Sequence, residues 1–182
     1  MKSENSFDNK NRGKVIWFFG RPSSGKTTIG TELRNVLETN GIKAVLLDGD
    51  ELRKGINSDL EFSILDRNEN IRRTAEVAKI LALQGCHVIC SVITPLNSQR
   101  ELVKKILPDI SLFLIYINTS LEECFKRDKK GHYKQAANGT MKNFTGVSSP
   151  FEEPLPDTDF VKTTDVEISE SVKACLNIIC SF

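Results

Sequence analysis

The chain has 182 residues, 39% hydrophobic and 27% charged, enough to close a single core at the ~100–200 residues usual for one domain. Lys and Arg number 25 against 24 Asp and Glu, so no whole-molecule field favours nucleic acid or a charged membrane surface, and any basic site must be local. No apolar run approaches the ~18 residues of a membrane span and the start, MKSENSFDNK, lacks an apolar signal core, which together predict a cytoplasmic protein.

In chain order, Met1 to Gly13 is polar with Phe7 its one aromatic, and is expected as a loose tail ahead of a single domain over residues 14–182. Lys14 to Phe19 (KVIWFF) then reads as a strand. Lys26 to Thr39 carries Ile29, Leu33, Val36 and Leu37 at helical spacing, and Asn40-Gly41 stops it. The pair repeats as strand Lys43 to Leu47 with helix Asn68 to Gln84, strand His87 to Val92 with helix Ser98 to Leu107, and strand Ser111 to Ile117 with helix Leu121 to Lys126. A weaker strand, Asp159 to Thr163, precedes a last helix from Ser169 to Ile179. Short, unbroken, β-branched runs suit strands covered on both faces, so the alternation predicts a three-layer α/β fold with a doubly wound parallel sheet. Asp128 to Asp157 breaks the rhythm. Long and polar, with Gly131, Gly139, Gly146, Pro150, Pro154 and Pro156, it is expected as a mobile lid.

The five cysteines, Cys86, Cys90, Cys124, Cys175 and Cys180, lack metal-ligand spacing and are expected as reduced, mostly buried thiols. Cys86 and Cys90 would share one face of a strand. His87 and His132 are too few and too far apart for a His-based zinc or triad site.

The residues that carry chemistry begin directly after the first strand. Gly20-Arg21-Pro22-Ser23-Ser24-Gly25-Lys26-Thr27 matches G-x-x-x-x-G-K-[ST], and with Thr28 it is the expected ATP site. Glycines let the backbone N–H groups face phosphate oxygens, the next helix presents its positive end, Lys26 reaches the β/γ-phosphates and the Thr27 hydroxyl ligates Mg²⁺. The second strand runs directly into Asp48-Gly49-Asp50, at the strand end where α/β sheets place ligands. That pair would hold Mg²⁺ and accept a proton from an attacking hydroxyl, or Asp50 would merely cap a turn. Arg53, Arg67, Arg72 and Arg73 follow, with Asn57 and Asn70 among them: receptors for a second anionic group, or a charged helix face. Phe62 and Phe144 fall outside the periodic core pattern and could clamp a planar base.

These segments resemble the adenylyl-sulfate kinase (APS kinase) family. The resemblance rests on Leu47 to Asn57 (LDGDELRKGIN), Asp59 to Ser63 (DLEFS), Asp66 to Arg73 (DRNENIRR), Arg127 to Lys134 (RDKKGHYK), Lys142 to Gly146 (KNFTG) and Pro150 to Pro154 (PFEEP), in order and spacing. It implies transfer of the ATP γ-phosphate to the 3′-hydroxyl of adenosine 5′-phosphosulfate (APS), giving PAPS and ADP in sulfate assimilation, by a homodimer with no nucleic-acid or membrane partner. Arg53, Asn57, Arg67 and Asn70 would hold the acceptor, Phe62 and Phe144 would sandwich its base, and Ile93 and Thr94 would line its site. Asp50 would align the hydroxyl, Asp48 and Asp50 would serve the metal beside Thr27, and Lys130 and Lys134 would meet phosphate charge when the lid closes. Thr94-Pro95-Leu96 stands where the family has Ser-Pro-Tyr, Glu61 where a Gly is usual and Ala137 where an Arg is usual. A carboxylate at Glu61 would repel a sulfated nucleotide unless it points outward. These departures keep open a 3′-hydroxyl kinase for another modified nucleotide, such as cytidine diphosphoramidate. A non-catalytic nucleotide-binding module is the reading from another class, opposed by intact Lys26, Thr27 and Asp50.

Overall fold

A computed structural model describes residues 12–156 and 158–180. Five strands, β1 (Val15–Phe19), β2 (Ala44–Asp48), β3 (His87–Ser91), β4 (Leu112–Asn118) and β5 (Phe160–Lys162), form one sheet in the order β2-β3-β1-β4-β5. Every pairing is parallel, with Val15 opposite both Val88 and Leu112. Because β1 is central, period 2 sends its side chains into two separate cores. Val15, Trp17 and Phe19 pack with Ile71, Ala75 and Ala78 of α3 (Ile64–Leu83) and Val103 of α4 (Asn97–Ile106). Ile16 and Phe18 pack with Ile29 and Leu33 of α1 (Lys26–Thr39) and Val172 and Cys175 of α7 (Ile168–Cys180). The sheet is thus covered on both faces, which is why β1 shows no polar alternation.

Helix α3 begins four residues earlier than its apolar spacing predicts. Its first turn exposes Ile64 and Leu65, so no buried stripe marks it; the Ser63 hydroxyl caps it instead, accepting from the Asp66 N–H at 3.1 Å. Two short helices also escaped the periodicity: α2 (Gly49–Leu52) and α6 (His132–Ala137), the latter inside the predicted lid after α5 (Leu121–Arg127). Tyr133 and Ala136 of α6 join Cys124 and Phe144 in a small third core. The Tyr133 hydroxyl donates to the Pro22 carbonyl at 3.0 Å, so this segment lies on the phosphate loop.

The expected tail falls outside the described residues except at its end, where Arg12 and Gly13 are docked. Arg12 donates to the Asp109 carbonyl, the Gly13 N–H donates to the Ala82 carbonyl, and Gly13 is buried. Cys86 precedes β3 and is absent from the core that takes Cys90, because the strand starts only at His87. The five thiols are free, four of them buried and Cys180 exposed. Among the described residues no helix is long and apolar enough to cross a membrane.

Candidate active site

The loop between β1 and α1 turns through left-handed backbone at Ser23 (φ 59°) and Gly25 (φ 98°), with Gly20 at φ 150°. Gly20 is required by space as well: a Cβ there would stand 2.8 Å from the Ile117 carbonyl oxygen. Gly25 sits at the N-cap of α1 without a capping side chain, which leaves the helix's first N–H groups for an anion. Lys26 curls into the loop, donating to the carbonyls of Gly20 (3.1 Å) and Arg21 (2.7 Å) and to Ser24 Oγ (3.3 Å). Burial lowers its ammonium pKa to about 8.

Thr27 Oγ1 donates to Asp48 Oδ2 at 2.6 Å and lies 3.3 Å from Ser91 Oγ. Asp48 and Ser91 are register partners at the ends of β2 and β3, so the sheet itself brings them together. Three hard oxygen donors at the mouth of a phosphate loop fit Mg²⁺ better than a softer metal. Among the described residues no cluster of three or more His, Cys, Asp or Glu forms a self-contained metal site. The other Asp48 oxygen caps α2, accepting from the N–H groups of Asp50 (2.9 Å) and Glu51 (3.2 Å). The capping role considered for Asp50 therefore belongs to Asp48. The Asp50 carboxylate is exposed, faces the cavity and lies 3.4 Å from Lys130 Nζ.

A cavity of about 640 Å³ opens beside the loop at the carboxyl edge of the sheet. Pro22, Ser23, Lys26, Thr27, Asp48 and Asp50 form its loop side; Arg53, Phe62, Arg67, Asn70, Ile93, Thr94, Lys130 and Phe144 also line it. Arg67 donates to the carbonyls of Phe62 (3.1 Å) and Asn143 (2.7 Å), and Arg53 to those of Leu60 and Glu61, both at 3.0 Å. Their guanidinium carbons lie 5.5 Å and 4.6 Å from the Phe62 ring centroid. Among the described residues neither has a salt bridge to a carboxylate. Burial lowers the pKa of Arg53, and burial followed by the Arg53 charge lowers that of Arg67 to about 10, so an anion entering between them meets cations with unmet demand. Arg72 and Arg73 are different: Glu69 pairs with both, and Asp59 with Arg73, making them surface struts.

Other expected site residues lie elsewhere. Asn57 is fully buried outside the cavity lining, where its amide donates to Asn70 Oδ1 at 2.9 Å; it sets the orientation of Asn70. Lys134 is exposed on α6 and does not line the cavity, and Arg21 lines neither cavity. Ser24, Gly25 and Thr28 line a second cavity of about 520 Å³, which shares Ser23, Lys26 and Thr27 with the first. Phe144 is largely buried with its ring edge-on to Tyr133 at 4.8 Å, whereas Phe62 is 54% exposed. Glu61 is exposed and absent from the cavity lining. Thr94 has φ 43°, unusual for a β-branched residue; its hydroxyl accepts from Trp17 Nε1 at 2.9 Å and is 1% exposed, which suits lining and turn-setting.

Two contributors went unassigned in the sequence. Ser91 ends a strand that carries no acid, and its chemistry is visible only from its pairing with Asp48. Arg127 opens the RDKKGHYK segment, lines both cavities and donates to the Thr163 carbonyl at 2.7 Å.

Residues 12–161 match the adenylylsulphate kinase family profile. The probable adenylyl-sulfate kinase of Halalkalibacterium halodurans is 40% identical over 178 residues, covering 98% of this chain and 86% of that protein. The adenylyl-sulfate kinase of Bacteroides fragilis is 44% identical over 170 residues, covering 93% and 84%. The fold superposes on the Mycobacterium tuberculosis APS kinase in complex with AMPPNP and APS with a TM-score of 0.88 at 39% identity, covering 92% of this chain and 98% of that one.

Proposed function

The chain belongs to the adenylylsulphate kinase family, and from that premise we propose that it transfers the γ-phosphoryl group of ATP to the 3′-hydroxyl of adenosine 5′-phosphosulfate, releasing PAPS and ADP. The observation that carries the proposal is the pair Arg53 and Arg67, which flank the Phe62 ring and line one cavity together with Asp50 and the triphosphate-loop residues Lys26 and Thr27. A phosphosulfate needs such a pair, because two guanidinium forks satisfy its oxygens while leaving the sugar hydroxyls turned toward the donor. Phe62 supplies an exposed ring face for the base, with Phe144 at the opposite side of the proposed clamp.

Lys26 holds the transferring phosphoryl charge, and the loop's N–H groups hold the β-phosphate. Thr27, Asp48 and Ser91 would hold Mg²⁺, which would supply neutralisation of phosphate charge when bound. Asp50 aligns the 3′-hydroxyl and takes its proton as the O–P bond forms, while the bond from phosphorus to the β-γ bridging oxygen breaks and that oxygen leaves with ADP. Lys130 closes the anionic centre from residues 128–156 and helps exclude water, which limits ATP hydrolysis.

The test is ADP release with a panel of 3′-hydroxyl nucleotides that includes APS and cytidine diphosphate derivatives. APS is expected to be the acceptor with the highest kcat/KM, and a cytidine derivative outrunning it would overturn the acceptor assignment. A cytoplasmic location is part of the same proposal, supported by five free thiols that suit a reducing compartment. So is a homodimer, which light scattering on the purified chain checks.

A further inference from the structure

Residues 146–153 form a strap between the phosphate loop and the turn after β3, and two arginines hold it. Arg100 of α4 donates to the carbonyls of Pro95 (3.1 Å), Glu152 (2.7 Å), Thr94 (3.3 Å) and Glu153 (3.3 Å). The Glu152 N–H returns a bond to the Pro95 carbonyl at 2.9 Å. The second holder is Arg21, in the phosphate loop itself. Its Nη2 meets Glu153 Oε1 at 2.5 Å, and its guanidinium lies 4.5 Å from the Phe151 ring centroid. Gly146 fits so closely beside it that a Cβ there would stand 3.3 Å from Arg21 Nη1.

The Arg21 side chain lines neither cavity, so it is directed to the strap rather than to a nucleotide. Its carbonyl faces the other way and accepts from Lys26 Nζ at 2.7 Å, the shortest of that ammonium's three bonds. The next carbonyl, that of Pro22, accepts from the Tyr133 hydroxyl. Two consecutive loop residues are therefore tied to residues 128–156, and the ties bracket the carbonyl that orients Lys26.

We propose that Arg21 is a positioning residue for phosphoryl transfer: pinned by Glu153 and Phe151, it fixes the loop carbonyl that aims Lys26 at the terminal phosphate. The inference rests on the kinase reading of the site given above. A glycine-bounded loop would otherwise have to order that carbonyl when the nucleotide binds, and a pre-set one removes that cost at the moment of reaction. Arginine suits the task because its planar fork stacks on Phe151 and pairs with Glu153 together, which a lysine ammonium does only in part.

The experiment uses the full chain with Mg²⁺ and compares wild type, Glu153→Gln, Arg21→Met, Arg21→Lys and the double variant Arg21→Met/Glu153→Gln. Calorimetry gives affinities for ATP and ADP, and ADP release gives kcat and KM with APS. The Glu153 side chain is 64% exposed, so Glu153→Gln keeps the fold, which a thermal melt verifies. ADP keeps the β-phosphate but lacks the γ-phosphate that Lys26 meets during transfer, so the expected loss is larger for ATP than for ADP. ATP affinity relative to ADP falls about threefold in Glu153→Gln and about tenfold in Arg21→Met, with kcat falling in step and KM for APS moving less than about twofold. Arg21→Lys is intermediate, and the double variant matches Arg21→Met, since one contact cannot be lost twice. If both single variants keep the ATP/ADP ratio and kcat within about 1.5-fold of wild type, or if their losses multiply in the double variant, the proposal is overturned. Failure of the wild type to turn over APS would instead refute the acceptor assignment, leaving the ATP/ADP comparison to decide the role of Arg21.

Discussion

Lys26 is 8% exposed and yet keeps an ammonium between two carbonyls and a hydroxyl, so its charge is held at a cost until phosphate arrives. Lys26→Met is expected to lower kcat by at least about a hundredfold with the circular dichroism spectrum retained, because the side chain stabilises transferring charge from a surface loop. Its effect on stability has a defined sign. The folded pKa of about 8 lies below the unfolded value near 10.5, so between these the unfolded chain holds a proton that the folded one has released, and stability rises with pH. Across that window the wild type should gain up to about 3 kcal/mol that Lys26→Met does not, read from urea midpoints at successive pH values without nucleotide. Asp50→Asn should reduce kcat by about a hundredfold or more while ATP affinity, read by calorimetry, stays within about threefold, since the lost charge serves the hydroxyl. Phe62→Ala should raise KM for APS by about fivefold to a hundredfold, the worth of one stacked base, with KM for ATP moving less than about twofold in the same steady-state assay.

At the scale of elements, α1 shows how the sheet and its phosphate loop are held together. Gly30 lies in the middle of α1, where a Cβ would stand 2.9 Å from Leu46 Cδ1 and 3.3 Å from Ile89 Cγ2. The helix thereby comes close to β2 and β3, and its N-terminus meets the strand ends that carry Asp48 and Ser91. Gly30→Val should lower the unfolding free energy by about 1–3 kcal/mol, read from urea denaturation, as overpacking does in a filled core. The bounds of α1 were legible because Ile29, Leu33 and Leu37 are buried at regular spacing. The start of α3 was not, since Ser63 and Asp66 form it by capping while its first apolar residues are exposed. That turn matters for function, because Arg67 and Asn70 stand on it and on the next.

For the whole molecule, the sheet separates stability from chemistry. Its carboxyl edge carries the phosphate loop, Asp48, Ser91 and Thr94, while its amino edge carries the entry of the chain. At that edge a Cβ on Gly13 would stand 1.9 Å from the Cys86 carbonyl oxygen, a backbone atom that cannot swing aside. Gly13→Ala should therefore destabilise the fold by about 2 kcal/mol or more, seen as a lower melting temperature. KM for ATP should stay within about twofold at a temperature where the variant remains folded, because the site lies at the other edge.

The sequence by itself determined the alternation of strand and helix, the parallel sheet and the phosphate loop, because each is written in neighbouring residues: a five-residue apolar strand, a 3.6-residue period, a glycine-bounded Lys-Thr. Only the tertiary structure decided among residues of the same type. Arg53 and Arg67 face the cavity while Arg72 and Arg73 are neutralised by Glu69 and Asp59; Asp48 caps α2 while the Asp50 carboxylate stays open to the cavity; Ser91 meets Thr27 only through strand pairing. Arg21, with the look of a nucleotide ligand in its motif, turns its side chain to Glu153, 132 residues away along the chain. Which carboxylate or aromatic ring faces a charge depends on contacts between distant segments, and those distances exist only once both cores have closed around the sheet.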